Sequence, residues 1–239
     1  MNAAFQALCA RLAAAGVPDA RFDAAELYRF VTRRDPRLDD GPTEAEAARL
    51  AALADRRAAR EPLQYILGEW DFMDFSLKVG PGVLCPRADS EVVCETAIEL
   101  LQGVPSPRVY DLCAGTGCLG LGIARRVPGA DVTCVEKSPD AWPYLTANTA
   151  DSGVRTMQAD VFTYYKLLPA ECADLIISNP PYLTGPEMGA LMPETAHEPA
   201  MALDGGADGL DFYRLLTTRY QAALRPGGWL VMEIGYAQA

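Results

Sequence analysis

The sequence holds one histidine, no Cys-x-x-Cys pair and no apolar run as long as a membrane-spanning helix. Its seven cysteines are odd in number and scattered. That argues against a disulfide frame and against a zinc site, and for the reduced thiols of a cytoplasmic protein; no metal is implied. The missing apolar run excludes a helical membrane protein. Positive charge is also scarce: 21 basic residues stand against 32 acidic ones, a formal net charge of −11. A protein that lives on bare nucleic acid carries the opposite balance. There are no internal repeats and no low-complexity tract. At the N-terminus, MNAAFQALCARLAAAG carries Arg11 within its apolar stretch, so it reads as an amphipathic helix rather than an export signal.

What is present is globular. Half of the 239 residues are hydrophobic and 22% are charged, a composition that buries a core rather than staying disordered. The length suits one large or two modest domains. The chain divides near residue 75. Before it, the pattern is helical. Ala, Leu and Arg dominate residues 2–15, and Gly16 stops the run. Phe22, Leu27, Phe30 and Val31 give a second periodic stretch that ends before Pro36. Thr43 with Glu46 forms a capping box that opens a third helix through about Arg60, with Leu50 and Leu53 as its apolar stripe. Pro62 then starts a short turn, PLQYIL, closed by Gly68. Arg56, Arg57 and Arg60 read as a solvated helix face, with a surface for an acidic partner as the sharper alternative. Residues 70–86 mix aromatics with glycine and proline at turn spacing and read as a hairpin or extended linker.

From residue 87 helices and strands alternate. Residues 89–101 are helical, RVYDL, DVTCVE, VRTMQAD, ADLIISN and GGWLVMEIG are strands, and residues 209–224 form another helix. Pro139 sits near the first turn of the helix after DVTCVE. Strands separated by helices predict an α/β fold with a doubly wound parallel sheet.

Two segments carry chemistry. Asp111-Leu-Cys-Ala-Gly115-Thr-Gly117-Cys-Leu-Gly120 follows a strand and opens a helix, and its glycines let a ligand approach the backbone. Glu136 ends the next strand, twenty-one residues after Gly115. A carboxylate there accepts hydrogen bonds from both ribose hydroxyls of an adenosine ligand. The spacing suits a nicotinamide dinucleotide as well as S-adenosylmethionine. Asp111, at the strand end, is placed to meet a ligand's cationic amino group or to order the loop. Added carboxylates favour a cationic ligand over a pyrophosphate.

The second segment is Asn179-Pro180-Pro181-Tyr182, straight after the apolar strand DLIIS. Ligands of such sheets sit beyond the carboxyl ends of the strands, so this loop faces the cleft. Two prolines stiffen it and remove two backbone donors. What remains is a fixed pair of acceptors, the Asn179 side-chain oxygen and the Pro180 carbonyl, with the flat face of Tyr182 beside them. A planar NH₂ group conjugated to a π-system is a poor nucleophile. Two acceptors grip its N–H bonds, aim its lone pair and stabilise the positive charge that grows on nitrogen during methylation.

With DLCAGTGCLG, VEKSPDA, QADVF and ISNPPY in this order, the chain resembles class I S-adenosylmethionine-dependent methyltransferases acting on nitrogen. EPLQYILGEWDF, VLCPRADSE and HEPAMALDGGADGLDFY narrow the resemblance to the release factor glutamine methyltransferase family, over nearly the whole chain. The resemblance implies a Rossmann-like sheet behind a small all-helical N-terminal domain: residues 1–75 for docking, 76–86 as hairpin or linker, and 87–239 as the methyltransferase domain. It implies methylation of the side-chain amide N5 of the glutamine in the GGQ motif of peptide chain release factors. Asn179 and the Pro180 carbonyl would hold that amide, with Pro181 stiffening the loop and Tyr182 packing beside it. Cys113, Ala114, Gly115, Thr116 and Gly117, with Asp111, Glu136, Asp160, Val161 and Asn179, would form the S-adenosylmethionine site, Asp160 lying near the adenine amine. The helical domain and hairpin would help dock the release factor, and the chain would act as a monomer without direct nucleic acid or membrane contact.

Three departures and several open positions remain. Cys113 stands where relatives often have glycine, and Glu136 where they often have aspartate. The family continues past the fifth strand with a helix and a final β-hairpin, whereas this sequence stops at GWLVMEIGYAQA; the expectation is a truncated chain with WLVMEI as an exposed apolar edge. Arg87 and Glu91 have no assigned role. His197 reads as a surface or structural residue, and Glu198 as the better candidate for contact near the site. Trp142 and Tyr144 read as helix-packing residues, and Cys113 and Cys118 as small residues beside the turn rather than nucleophiles. The runner-up reading is methylation of a ribosomal protein glutamine. A nucleic-acid base methyltransferase shares the tetrapeptide, but residues 76–239 hold 11 basic against 19 acidic residues, which opposes a nucleic-acid groove. A domain that binds cofactor or partner without turnover is the remaining class.

Overall fold

The computed structural model describes residues 2–238. The chain forms two compact units, one made of residues up to Gly68 together with Met192–His197, the other of Glu69–Leu191 and Glu198 onward.

The first unit is helical: α1 Ala3–Ala14, α2 Ala20–Thr32, α3 Glu44–Ala58 and the short α4 Leu63–Leu67. Asn2 caps α1 by accepting the Phe5 N–H at 2.7 Å. Thr43 and Glu46 form the expected reciprocal box at the start of α3, an arrangement in which the cap alone contributes about 1 kcal/mol. Phe5, Leu12, Leu27, Tyr28 and Leu50 fill the core, each such side chain stabilising by about 1.5–3 kcal/mol on burial. Phe22 departs from the expected stripe and is 52% exposed, because it lies on the opposite side of α2 from Leu27 and Val31. The arginines of α3 depart further from a solvated face. Arg57 is buried between two carboxylates, Asp23 at 2.6 Å and Glu194 at 2.7 Å, and Arg60 joins Glu194 at 2.7 Å. Arg56 pairs with Glu61. Their acidic partners belong to the chain itself. Burial alone would raise the Glu194 pKa, but hydrogen bonds from Arg60 and Arg57 outweigh it and hold the carboxyl at about 2.

The second unit begins with an antiparallel hairpin, β1 Glu69–Phe72 and β2 Phe75–Lys78. The hairpin fills the first part of the 70–86 stretch, so strand starts ahead of the division expected near residue 75. Phe72 and Leu77 are the reason: both turn inward and pack in the core of the second unit. After α5 Ala88–Leu100 come β3 Arg108–Leu112, α6 Cys118–Arg126, β4 Asp131–Glu136, α7 Trp142–Thr149, β5 Arg155–Gln158, the single turn α8 Val161–Tyr164, β6 Ala173–Ser178, the short α9 Gly185–Met188, α10 Asp211–Arg219 and β7 Leu224–Met232. The last helix is shorter than expected, since a 3₁₀ turn at Gln221–Ala223 follows it and leads straight into β7. Pro143, not Pro139, occupies the first turn of α7.

The sheet has five strands in the order β5-β4-β3-β6-β7, every neighbouring pair parallel. This is the doubly wound α/β arrangement. The central strands read as near-continuous apolar runs because helices cover both faces: Val109, Leu112, Val132, Val135, Leu175, Ile176 and Ile177 are all buried. Chain order reverses between β3 and β6, which opens a crevice beyond their carboxyl ends. β7 is the outer strand, with Trp229 49% exposed. No helix among the described residues is long and apolar enough to cross a membrane.

Candidate active site

The loops that leave β3, β4, β5 and β6 at their carboxyl ends line a cleft. Each strand delivers one wall. Cys113 to Thr116 come from β3, Glu136 from β4, Asp160 and Val161 from β5, and Asn179 with Pro181 from β6. Val83 to Pro86, the stretch before α5, close the remaining side.

The β3 turn is held by its own carboxylates. Asp111 is fully buried, and its Oδ2 accepts the Gly120 N–H at 2.9 Å and the Cys134 thiol at 3.7 Å. It does not line the cleft; it ties the last residue of the turn back to the strand, which orders the loop. Burial pushes its carboxyl up to about 7, against the pull of the Gly120 N–H and the Cys134 thiol. Gly117 also lies behind the wall. At φ +81° it caps α6, and a Cβ there would meet Leu145 Cδ1 at 2.7 Å, so glycine lets α7 close on the turn. Glu136 Oε2 accepts the Gly115 N–H at 2.8 Å and its Oε1 the Ser138 N–H at 2.6 Å. Asp160 accepts the Phe162 N–H and pairs with Lys137 at 2.9 Å. Burial would raise its pKa, but Lys137 and that N–H outweigh it and keep the carboxyl below its ordinary value. Asn148 was not anticipated: it accepts the Lys78 N–H and donates to the Thr116 carbonyl at 3.0 Å, pinning the turn to the hairpin.

This wiring occupies the N–H groups of the turn's three glycines. A turn that binds pyrophosphate points its N–H groups at the anion. Here the Gly115 N–H is taken by Glu136, the Gly117 N–H by the Ala114 carbonyl and the Gly120 N–H by Asp111. Two carboxylates face the cleft, and each oxygen of Glu136 keeps a second lone pair for a hydroxyl donor. An adenosine bearing a cationic sulfonium and amino group fits the two carboxylates.

On the β6 side, Asn179 is half-buried and its Nδ2 donates to Ser90 Oγ at 3.1 Å. Pro180 and Tyr182 are not among the residues that line this cleft. The Tyr182 backbone is crossed so closely by the 205–209 loop that a Cβ on Gly205 or Gly209 would come within 2.6 Å or 2.4 Å of it. Burial raises the Tyr182 phenol. Arg87 and Glu91 acquire structural partners: Arg87 pairs with buried Glu198, which also accepts the Cys85 N–H at 3.0 Å, and Glu91 accepts the Met73 N–H at the hairpin turn. Glu198 thus fixes the Val83–Pro86 wall from behind. His197 is exposed and belongs with the first unit. Tyr144 donates to the Pro81 carbonyl, and Trp142 packs on the core, as helix-packing residues do. Ser90 and Glu233, both buried at this wall, escaped the sequence reading; the one signal was that Ser90 lies in the VLCPRADSE segment.

A doubly wound sheet with this cleft defines a class I S-adenosylmethionine-dependent methyltransferase, and residues 81–205 match the family model described as Methyltransferase small domain. Residues 3–68 match the model described as PrmC N-terminal domain. Curated relatives that carry the name release factor glutamine methyltransferase include the following three. That of Geobacter sulfurreducens is 39% identical over 95% of this chain and 81% of its own length. That of Streptomyces coelicolor is 40% identical over 93% and 80%, and that of Mycolicibacterium smegmatis 40% over 98% and 84%. The chain belongs to the release factor glutamine methyltransferase family.

Proposed function

We infer that this chain transfers a methyl group from S-adenosylmethionine to the side-chain amide nitrogen of a glutamine in peptide chain release factors, the glutamine being that of the GGQ motif. The observation that carries the reading is the cleft wall. A turn whose glycine N–H groups are taken, flanked by two carboxylates, stands opposite an asparagine whose amide nitrogen is already engaged, in a chain similar along nearly its whole length to enzymes of that name.

Glu136 would hold the ribose hydroxyls, Asp160 and Val161 the adenine, and Cys113 to Thr116 the amino-acid end. When bound, S-adenosylmethionine supplies an electrophilic methyl carbon. The chain's own residues do the rest. The Asn179 Oδ1 and the Pro180 carbonyl accept the two N–H bonds of the substrate amide and fix its plane. They stabilise positive charge on nitrogen as it grows, which is where oriented acceptors contribute most. The proton departs after transfer, so no strong base is needed. Pro181 stiffens the loop, and Tyr182 backs it. The helical unit and hairpin dock the release factor, and the chain works as a cytoplasmic monomer on protein rather than nucleic acid, in keeping with its acidic surplus.

Mass spectrometry of purified release factor after incubation with enzyme and S-adenosylmethionine tests the reading. One added methyl on the GGQ glutamine is expected. Labelling of a ribosomal protein or a nucleic-acid base instead would overturn it. Asn179→Ala should lower kcat about 100- to 1,000-fold, the usual cost of losing an oriented partner of transition-state charge, with the cofactor dissociation constant unchanged in calorimetry.

A further inference from the structure

An asparagine amide has two ends of opposite character and nearly equal shape. The proposed role of Asn179 works only if its oxygen faces the substrate. Turned by half a rotation, it would present an NH₂ group to an NH₂ group, donor against donor. Something must set that choice, and it lies outside the tetrapeptide.

Behind Asn179 sit two buried residues from distant parts of the chain, Ser90 near the start of α5 and Glu233 just past β7. Ser90 donates its hydroxyl proton to Glu233 Oε2 at 2.5 Å. A serine has one proton to give. Once it points at the carboxylate, Oγ can only accept, and the group that reaches it at 3.1 Å is the Asn179 NH₂. An ionised carboxylate accepts only, so Glu233 takes the serine proton and the serine in turn demands the donor end of the amide. Glu233 is in turn fixed by its backbone: its N–H donates to the Ser178 carbonyl at 3.0 Å, one residue before Asn179, and its own carbonyl accepts the Tyr213 hydroxyl at 3.1 Å.

We propose that Ser90 and Glu233 are positioning residues for methyl transfer: they form a one-way hydrogen-bond relay that locks the Asn179 amide with Oδ1 toward the substrate nitrogen. The proposal rests on the reading of Asn179 given above. The relay's direction comes from the charge of Glu233. A neutral amide in its place can offer Ser90 Oγ either its oxygen or its NH₂, so the serine proton and with it the asparagine lose their fixed direction.

Glu233→Gln is therefore the informative variant, since it keeps shape and removes the charge that gives the relay a single direction. Its kcat should fall about 10- to 100-fold, the range seen when a partner that orients a contacting group is lost. The S-adenosylmethionine dissociation constant by calorimetry and the melting temperature should stay near those of the wild type. Ser90→Ala should lower kcat in the same way but less, and Ser90→Thr, which keeps the hydroxyl, should return it to within about threefold. If Asn179→Ala abolishes turnover while Glu233→Gln and Ser90→Ala turn over normally, the relay is wrong and the reading of Asn179 stands. If Asn179→Ala itself turns over normally, the reading fails and takes the relay with it. Should Glu233→Gln melt below the assay temperature, the serine pair decides: equal kcat for Ser90→Ala and Ser90→Thr overturns the relay, and a selective loss in the alanine variant supports it.

Discussion

The two walls of the cleft are stiffened in different ways. On the β3–β4 side, backbone N–H groups are fastened to carboxylates a short way along the same strand–turn–helix unit or on the next strand: Gly120 to Asp111, Gly115 and Ser138 to Glu136. On the β6 side, the fastening runs from side chain to side chain, Asn179 to Ser90 to Glu233, across separations of 89 and 143 residues. A wall held by its own backbone fixes a shape. A wall held by side chains fixes which end of a polar group points outward. The first suits a cofactor whose bulk must be cradled, the second a substrate group whose N–H bonds must be met by acceptors.

The largest expected effect that separates the two walls is at Glu136. One carboxylate satisfies two N–H groups here, and leaving a buried donor unsatisfied costs about 1–3 kcal/mol each. Glu136→Ala should therefore loosen the turn and raise the S-adenosylmethionine dissociation constant about 10- to 100-fold, while release factor bound to the loaded enzyme is methylated at nearly the wild-type kcat. Calorimetry and single-turnover kinetics measure both. An unchanged dissociation constant would mean that the turn keeps its shape unaided, and the contrast between the walls would go.

That contrast also explains what could be read from the residues alone. The Gly115–Gly120 turn, Glu136 and the proline tetrapeptide each declare themselves within one strand and its loop, because the chemistry and the spacing lie together. The five parallel strands followed from the same locality. Ser90 and Glu233 carry no local mark, since a serine in a helix and a glutamate after a strand take on meaning only once β7 lies beside β6. Arg57 fails for the same reason: helical period places it on a face but does not tell that Asp23 and Glu194 meet it there. Asp111 was legible as an important acid, yet two roles stayed open until its oxygen was seen on the Gly120 N–H rather than in the cleft. Boundaries slipped where packing overrode punctuation, as at the hairpin and at Pro143.

A middle-sized effect tests the backbone wall through pH. The Asp111 carboxyl has its pKa raised by burial to about 7. The folded state therefore keeps its proton over a range in which the unfolded chain has lost it, and stability from this group is greatest below about pH 4 and declines as pH rises toward 7. The decline is on the order of a few kcal/mol at 1.36 kcal/mol per pKa unit. Asp111→Asn is neutral at every pH and should lack that component, so in urea melts the wild type should lose stability relative to the variant as pH rises from 4 to 7. Curves that run parallel would show that the buried carboxyl is not protonated, and that the turn rests on a charge rather than on a neutral acid.

The smallest effect concerns Cys113, which opens the turn at φ +60° with a Cβ attached. A left-handed backbone costs a residue with a side chain about 1–2 kcal/mol, and glycine avoids that cost. Elsewhere glycine is the poorer choice, because the unfolded chain gains entropy from it, worth about 0.5–1 kcal/mol relative to alanine. The two substitutions Cys113→Gly and Cys113→Ala remove the same sulfur and differ only in the Cβ. If the turn holds its first residue in the left-handed region against strain, the usual order reverses, and the glycine variant is the more stable by up to about 1 kcal/mol. Denaturant midpoints resolve a difference of that size. An alanine variant as stable as the glycine one would mean that the turn relaxes at this position, so the rigid wall would begin at Ala114 rather than at the end of β3.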